Sequence, residues 1–384
     1  MSEHAPGSPK ALVTGAKGFI GKNLVVALRR AGVEVAEIDL ESTPEDLAAG
    51  VAGAEAVYHL AGINRPEHEE DFKVGNIESL EAVLSTIEGL IATDPDAKRS
   101  FIVLSSSTQA EQDNPYGRTK LAAEKILAAY AERTGGPVAI YRLPGVFGKW
   151  CRPNYNSVVA TFCHKIAHDL PIKISARANE VRLVYVDDVV RSFLGLLGAP
   201  QQGGCLFHEI EPVFSTTLGA IVDALQGFRS SRRDLVVPDF ANPFIKRLYA
   251  TYLAYLPEDQ LAYALDKKED QRGALAELLK APSFGQIFVS RTKPGITRGN
   301  HYHDTKTEKF CVVEGEALVR FRHIQGKEVT AYRVSGNEFR VVDIPPGYTH
   351  SIENVGTTEM VVLFWASEPF DPAKPDTYFL EVLP

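Results

Sequence analysis

Apolar and polar positions change their spacing twice along the chain. Residues 11–145 alternate short apolar runs, namely "ALVTG", "VEVAEID", "AVYHLAG" and "SFIVLSSS", with helical patterns such as "GKNLVVALRRAG". Alternation of strands and helices at this spacing predicts an α/β domain with a doubly wound parallel sheet of the Rossmann type. Between about residue 150 and 255 the pattern loosens, with more Pro, Asn and aromatic residues. We expect this region to close over a substrate rather than to build a sheet.

The last third of the chain has a β pattern instead. Short apolar runs are separated by Gly, Pro and Asn, without helical segments between them: "GQIFVSRT", "EKFCVVEG", "EALVRFRHI", "VTAYRVSG", "FRVVDIPPG" and "MVVLFWAS". Many short strands in succession predict a sandwich or a small β-barrel. We therefore expect an α/β domain over residues 1–255 and an all-β domain over residues 256–384, with the linker near "YATYLAYLPEDQ".

Composition excludes several classes of function. The net charge of −8 argues against a nucleic-acid partner, because phosphate binding needs a basic surface. The chain has no apolar run long enough for a membrane span, and its first ten residues lack the apolar segment of a secretory signal. The four cysteines lie far apart, without CxxC spacing. We therefore expect a reduced, cytoplasmic protein.

The stretch "VTGAKGFIG" (residues 13–21) places three glycines between a predicted strand and a predicted helix. Gly15 permits the tight turn, Gly18 lets the backbone approach a pyrophosphate, and Gly21 packs the helix against the strand. Free N–H groups at the helix N-terminus then bind the phosphates. The motif predicts a dinucleotide site that also includes Phe19 and Ile20.

Asp39 ends the second predicted strand, 24 residues after Gly15. A carboxylate at this point can accept hydrogen bonds from the adenosine ribose hydroxyls. It also repels a 2′-phosphate, which favours NADH over NADPH. The alternative is that Asp39 caps the next helix.

The stretch "DNPYGRTK" places Tyr116 and Lys120 on one face of a predicted helix, because they are four residues apart. Asn114 is the expected N-cap and Pro115 suits the first helical turn. Upstream, "VLSSSTQ" ends a predicted strand, where α/β enzymes place ligands.

Together these motifs resemble the extended short-chain dehydrogenase/reductase family. The resemblance implies that Ser107, or the neighbouring Ser106, hydrogen-bonds the substrate carbonyl oxygen. Tyr116 would then transfer the proton, and Lys120 would lower the pKa of Tyr116 and hold the nicotinamide ribose. "VYHLAG" and "GNIESL" resemble the family's cofactor-lining strand and following helix, which adds Ala61 and Asn76 as lesser candidates.

The substrate region resembles the same family with one departure. "YRLPGVFGKW" has Gly145 where asparagine is usual, which removes a substrate contact. We interpret Asp187 and Asp188 as helix caps. The loop "CRPNYNSV" is the candidate substrate loop, and it offers hydrogen-bond donors at Arg152, Asn154 and Asn156.

Two histidines, His301 and His303, share one face of a predicted strand, because alternate residues of a strand point the same way. Glu308 opens the next strand, and His350 follows a Pro-Gly turn. The pattern resembles the two motifs of the cupin family, which implies a small barrel with one divalent metal held by these four side chains. Nitrogen and oxygen ligands suit Zn²⁺, the first choice, as well as Fe²⁺, Mn²⁺ or Ni²⁺. Asn354 is interpreted as a turn residue, or as a residue that supports the ligands from behind, rather than as a ligand itself.

The segment "DQRG" resembles cupins that epimerise or isomerise nucleotide-linked keto-sugars. Arg272 in this segment is a candidate for substrate oxygens, and a structural salt bridge is the alternative. The general base of such a reaction stays open among Tyr302, Lys306, His323 and Tyr332.

The whole chain resembles a family of bifunctional UDP-sugar enzymes of capsule and O-antigen biosynthesis, through stretches such as "AGINRPEH", "FGKWCRPNYNSV" and "KPGITRGNHYH". The resemblance implies that the cupin epimerises C3 of a UDP-4-keto-2-acetamido-2,6-dideoxy-hexose and that the front domain reduces the C4 ketone with NADPH. The product would be UDP-2-acetamido-2,6-dideoxy-L-talose, a precursor of UDP-N-acetyl-L-fucosamine. A homodimer is also implied. NADPH conflicts with the interpretation of Asp39.

Two alternatives stay open at this point. In the first, the chain is a simple nucleotide-sugar ketoreductase whose cupin is a non-catalytic module for binding or dimerisation. In the second, the front domain retains its NAD⁺ and works as an epimerase or dehydratase.

Overall fold

The computed structural model describes residues 8–94, 99–199 and 203–383 and divides into two compact units. The first comprises Met1–Leu225 with Arg247–Leu256, and the second comprises Gln226–Lys246 with Pro257–Pro384. Residues 226–246 group with the second unit, which the sequence pattern did not indicate. The domain boundary expected between residues 255 and 256 stays a prediction.

The first unit alternates strands and helices. Its strands are β1 (Lys10–Thr14), β2 (Glu34–Ile38), β3 (Ala56–His59), β4 (Phe101–Ser107), β5 (Pro137–Leu143), β6 (Gly145–Phe147), β7 (Glu180–Tyr185), β8 (Gly204–His208) and β9 (Phe214–Thr217). Its helices are α1 (Phe19–Arg30), α2 (Pro44–Val51), α3 (Asp71–Lys73), α4 (Ser79–Thr93), α5 (Pro115–Thr134), α6 (Val158–Ala167) and α7 (Val186–Leu196). A π-helical turn (Val74–Glu78) joins α3 to α4, and a 3-10 turn (Thr108–Glu111) follows β4.

Six parallel strands in the order β2-β1-β3-β4-β5-β8 form the main sheet. Successive side chains of a strand point to opposite faces, so neighbouring residues of β1 enter different cores. Val13 packs with Leu24 of α1 and Phe193 of α7, whereas Leu12 packs with residues of α2, α4 and α5. Helices therefore cover both faces, and the predicted doubly wound α/β fold is confirmed.

The region from 150 to 255 differs in part from the expectation. β8 lies within it and extends the main sheet, and β7 and β9 form a small sheet with β6. Two further helices follow, α8 (Leu218–Asp234) and α9 (Pro243–Leu253), so much of the expected linker is helical. The expectation that this region builds no sheet is therefore wrong. Within the residues that the structure describes, no helix combines the length and apolar character that crossing a membrane requires.

The second unit is formed mainly by antiparallel strands. They are β10 (Lys267–Asp270), β11 (Gly273–Ala281), β12 (Gly285–Thr292), β13 (Thr297–Tyr302), β14 (Glu308–Glu314), β15 (Glu316–His323), β16 (Val329–Ser335), β17 (Val341–Ile344), β18 (Tyr348–Asn354), β19 (Met360–Ala366) and β20 (Tyr378–Phe379), with a 3-10 turn at Glu258–Gln260. One sheet has the order β10-β11-β12-β19-β14-β17, and the other has the order β16-β15-β18-β13-β20.

Apolar side chains of both sheets share one core. Phe310 and Phe364 from the first sheet pack with Val319 and Ile352 from the second. All six apolar runs singled out in the sequence are strands, and the predicted all-β fold is confirmed.

Candidate functional site

A cleft of about 530 Å³ opens in the first unit at the carboxyl ends of the parallel strands. β2 lies on one side of β1 in the sheet, and β3 and the later strands lie on the other side, so the strand order reverses at β1. Doubly wound sheets bind ligands at such a reversal. The cleft brings together three of the predicted groups. Its lining includes the glycine-rich turn, the end of β4 and the start of α5, with the residues Gly15, Gly18, Phe19, Ile20, Gly21, Ser106, Ser107, Tyr116 and Lys120.

The glycine-rich turn admits no larger residues at two positions. Gly15 has φ of +66°, and a Cβ there would lie 2.8 Å from the backbone nitrogen of Ala61. A Cβ on Gly21 would lie 2.1 Å from the carbonyl oxygen of Gly15. The turn is therefore compact enough for the first N–H groups of α1 to face the cleft, as phosphate binding requires.

Asp39 follows β2 and braces the glycine-rich turn. One carboxylate oxygen accepts from the backbone N–H of Lys17 at 2.7 Å, and the other accepts from that of Leu40 at 2.9 Å. The alternative of a helix cap is not realised, because Thr43 caps α2. Asp39 is not among the residues that line the cleft itself, although Lys17 is.

Ala61 and Asn76 contribute to the shape of the cleft. The N–H of Ala61 donates to the Thr14 hydroxyl at 3.2 Å, which joins the ends of β1 and β3. Asn76 is buried and holds the loop after β3, accepting from Ile63 N–H at 3.1 Å and donating to its carbonyl at 2.9 Å. Both residues therefore have bonds that shape the loop, and Leu60 and Gly62, on either side of Ala61, line the cleft.

Asn114 and Pro115 begin α5 as predicted, and this places Tyr116 and Lys120 at the cleft. The Asn114 side chain accepts from Gly117 N–H at 2.7 Å. Lys120 Nζ lies 5.8 Å from the centre of the Tyr116 ring and donates to the carbonyl of Ser105 at 3.1 Å.

The ionisable groups of this cluster are shifted by their surroundings. Burial lowers the pKa of Lys120 to about 8, although Glu124 acts in the opposite direction. Burial raises the pKa of Tyr116, and the hydroxyl of Ser107 partly offsets this by hydrogen bonding to the phenol. Lys120 therefore titrates near neutral pH beside a phenol that Ser107 contacts.

The structure separates the two serine candidates. Ser106 donates to Glu124, a buried carboxylate that also accepts from Arg142 at 2.6 Å. The Ser107 hydroxyl contacts the Tyr116 phenol and accepts a 3.2 Å bond from Gln109 N–H, and it has no carboxylate partner among the described residues. Ser107 is thus the serine available to a carbonyl. Glu124 was missed in the sequence, although its position four residues after Lys120 places it on the same helix face.

The substrate region differs from the expectation at two points. Arg152 and Asn156 line the cleft, whereas Asn154 does not and has φ of +56°. The interpretation of Asp187 and Asp188 as helix caps is wrong, because Tyr185 is the N-cap of α7 and no side chain caps it.

Both carboxylates form ion pairs instead. Asp187 pairs with Lys149 at 2.5 Å, and the buried Asp188 pairs with Arg247 at 2.8 Å and Arg191 at 2.7 Å. A carboxylate in the first turn of a helix is stabilised by the dipole without being a cap.

The second unit holds His301, His303, Glu308 and His350 together. One ligand atom from each of the four side chains lies within 4.8 Å of the others. His301 stands opposite His350 in the β13–β18 pairing, next to an irregularity between Gly299 and His301. The sequence therefore identified a real cluster of possible metal ligands.

The cluster is arranged to hold a cation. Glu308 Oε2 lies 3.4 Å from Nε2 of both His303 and His350. Neither Nε2 atom has a hydrogen-bond partner among the described residues, and both side chains are buried. Buried acceptors that converge on a carboxylate need a positive centre between them, so the donor set fits a divalent metal.

The charge states of the ligands suit a metal as well. Burial, together with the neighbouring His350, lowers the pKa of His301 to about 4, which keeps its imidazole neutral. Burial alone would raise the pKa of Glu308, but its close contacts with His303 and His350 outweigh burial and lower the pKa. The cluster thus offers a neutral imidazole at His301 and a carboxylate at Glu308, which are forms that bind metal.

Three other candidates of the barrel, Arg272, Lys306 and Asn354, have structural partners. Arg272 forms a salt bridge with Asp270 at 2.6 Å, as in the alternative to a role in substrate binding. Lys306 is buried and donates to Pro375 and Thr377. Asn354 donates to the carbonyls of Thr292 and Thr358 at 2.8 Å and is a turn residue as interpreted.

Two family models match the chain. Residues 11–206 match the NAD dependent epimerase/dehydratase family, and residues 268–378 match the polysaccharide biosynthesis C-terminal domain. The first match spans the parallel sheet with the cleft, and the second spans the barrel with the four-residue cluster.

Similar proteins are found for the whole chain. A UDP-2-acetamido-2,6-beta-L-arabino-hexul-4-ose reductase from Pseudomonas aeruginosa is 42% identical over 97% of this chain and 99% of its own. The crystal structure of the capsular polysaccharide assembling protein CapF from Staphylococcus aureus is 47% identical, covers 97% of this chain and 100% of its own, and has a TM-score of 0.89. A UDP-glucuronic acid 4-epimerase from Bacillus cereus, solved with UDP-glucuronic acid and NAD, has a TM-score of 0.51 at 20% identity over 58% of this chain and 83% of its own, which supports the fold alone.

Proposed function

The chain belongs to the NAD-dependent epimerase/dehydratase family, and we propose that it is a bifunctional enzyme of nucleotide-sugar metabolism. Its barrel epimerises C3 of a UDP-4-keto-2-acetamido-2,6-dideoxy-hexose, and its α/β domain then reduces the C4 ketone. The product is UDP-2-acetamido-2,6-dideoxy-L-talose. The similarity over 97% of the chain to a UDP-keto-sugar reductase is the observation that carries this proposal.

The reduction is assigned to the cleft of the first unit. A reduced nicotinamide dinucleotide, with its pyrophosphate held by the glycine-rich turn, would supply the hydride. Ser107 donates a hydrogen bond to the C4 oxygen, and Tyr116 gives that oxygen a proton as its negative charge develops. Lys120 provides a positive charge that favours the phenolate left behind.

The epimerisation is assigned to the barrel. A base of the barrel takes the C3 proton, and the C4 ketone takes up the charge of the resulting carbanion. A proton returned to the opposite face of C3 then inverts the centre. The base stays open among Tyr302, Lys306, His323 and Tyr332. A divalent metal held by His301, His303, Glu308 and His350 supplies Lewis-acid stabilisation of the charge on the ketone. Zn²⁺ is the metal we propose, because three imidazoles and a carboxylate form a common zinc ligand set.

NADPH is proposed as the hydride donor, in line with the resemblance of the whole chain. Both carboxylate oxygens of Asp39 already accept backbone N–H groups, which weakens its role as a free acceptor for ribose. Lys17 Nζ pairs with Glu41 at an exposed position and is a cation within reach of the same turn. A homodimer and a cytoplasmic location stay predictions.

The two reactions can be tested in one set of incubations. The purified protein is mixed with the UDP-4-keto-sugar in D₂O, with and without NADPH. We expect deuterium at C3 in both mixtures. In the mixture that contains NADPH, we also expect NADPH to be oxidised. Oxidation of NADPH without deuterium at C3 would leave a simple ketoreductase with a non-catalytic barrel.

A further inference from the structure

Residues 375–377 contact the chain immediately after β13, beginning at His303. We propose that this segment, and Asp376 above all, is a positioning element that orients His303 for metal binding. The inference rests on the metal centre proposed above and extends it to residues that contact no metal themselves.

The backbone carbonyl of Asp376 sets the tautomer of His303. Its oxygen lies 2.6 Å from His303 Nδ1. A carbonyl can only accept, so in the neutral imidazole the proton is on Nδ1 and Nε2 keeps its lone pair. His303 Nε2 is the buried atom without a hydrogen-bond partner that lies 3.4 Å from Glu308 Oε2. The hydrogen bond therefore selects the form of His303 that can bind a metal, and it fixes the plane of the ring.

The side chain of Asp376 anchors that carbonyl. Its carboxylate accepts from the backbone N–H groups of Asp304 at 2.9 Å, Thr305 at 3.0 Å and Lys306 at 2.8 Å. The Thr305 hydroxyl adds a fourth bond at 3.0 Å. These donors directly follow His303 in the chain. The carboxylate thus ties the turn after His303 to the residue whose carbonyl orients the ring.

Contacts on both sides of Asp376 hold the segment in place. Lys306 Nζ donates to the Pro375 carbonyl at 2.9 Å and to the Thr377 hydroxyl at 3.1 Å. Immediately afterwards β20 pairs with β13, with Phe379 opposite His301. Asp376 itself has φ of +38°, a backbone conformation that the surrounding bonds must maintain.

The test compares Asp376→Ala with Asp371→Ala in the full chain. Asp371 lies in the same segment of sequence, and its side chain accepts from Ala373 N–H at 2.9 Å, a bond that involves none of the residues 303–306. Zinc affinity is measured by competition with a chelator of known affinity. We expect Asp376→Ala to weaken zinc binding by about 10–100-fold, as loss of an outer partner of a metal ligand does. Asp371→Ala should bind zinc like the wild type.

Stability measurements separate positioning from a merely structural role. The thermal unfolding midpoint of each metal-free variant is recorded. Asp376→Asn keeps one side-chain oxygen as an acceptor and replaces the alanine variant if that variant fails to fold. An intermediate loss of zinc affinity in Asp376→Asn supports the proposal. A lowered midpoint with wild-type zinc affinity overturns it. Failure of the wild type to bind zinc overturns the metal centre itself and this inference with it.

Discussion

Lys120 Nζ lies 5.8 Å from the centre of the Tyr116 ring, one helical turn further along α5. The cation and the phenol therefore face the same cleft from one rigid helix, which Asn114 caps. This placement on one helix fixes the Tyr116 phenol and the Lys120 cation relative to Ser107 at the end of β4.

Tyr116→Phe should abolish keto-sugar reduction, because it removes only the hydroxyl that gives the proton. General acids typically contribute about 10²–10⁴-fold to the rate. NADPH oxidation with the epimerised ketone measures this loss, and NADPH fluorescence titration should give a dissociation constant close to that of the wild type. Turnover near the wild-type value would remove Tyr116 from the mechanism.

Reduction should slow as the pH rises through about 8, because Lys120 loses its charge near that pH. We expect kcat/KM for the ketone to fall on the alkaline side. In Lys120→Arg the alkaline limb should move to higher pH, since a guanidinium stays protonated, although the rate is lower. An unchanged limb in that variant would assign it to another group.

The same pKa gives a check on stability with a defined sign. Folding lowers the pKa of Lys120 from 10.5 to about 8, so between these values the unfolded chain binds more protons. The contribution of Lys120 to the free energy of unfolding therefore rises with pH across this window. Denaturant unfolding at several pH values should show this rise in the wild type and lose it in Lys120→Met.

The barrel should exchange the C3 proton without nicotinamide. In D₂O with the UDP-4-keto-sugar alone, the wild type should place deuterium at C3, as followed by NMR or mass spectrometry. His301→Ala or removal of the metal should stop the exchange, because both take away the Lewis acid. Tyr116→Phe is the matched control and should exchange normally. Exchange by a metal-free barrel would make the metal structural.

Asp39→Asn should shift the preference of the reductase towards NADPH. The amide removes a negative charge that opposes the 2′-phosphate but keeps an acceptor for the turn. Two negative charges near a protein surface repel each other, so the ratio of kcat/KM with NADPH to kcat/KM with NADH should rise. Steady-state kinetics with both cofactors measures the ratio of kcat/KM, and an unchanged ratio would show that Asp39 does not face the ribose.

The residue preferences of turns and helix caps were sufficient to predict much of the secondary structure of the first unit. Gly15, Asn114 and Pro115 occupy the turn and cap positions that their backbone and side-chain chemistry favours. β8 was missed because "GCLFH" is short and partly exposed, and its place beside β5 depends on a partner more than sixty residues earlier. The roles of Asp187 and Asp188 were missed because Lys149 and Arg247 are likewise distant in sequence.

The barrel illustrates the same limit at its site. The histidines and Glu308 could be recognised because metal binding demands particular residue types at particular spacings. Asp376 could not, because it lies 73 residues after His303 and acts on it through a backbone carbonyl, a group that every residue carries. Sequence patterns thus identify ligands more readily than the groups that orient them.

β20 is only two residues long, yet it pairs with the outer side of β13. An uncovered strand edge presents free N–H and C=O groups that can pair with another chain. β20 occupies part of that edge at His301 and Tyr302, and Leu380 N–H adds a bond to the Asn300 carbonyl at 3.0 Å. β20 therefore covers part of the edge of β13, so that fewer of its backbone groups can pair with another copy of the chain.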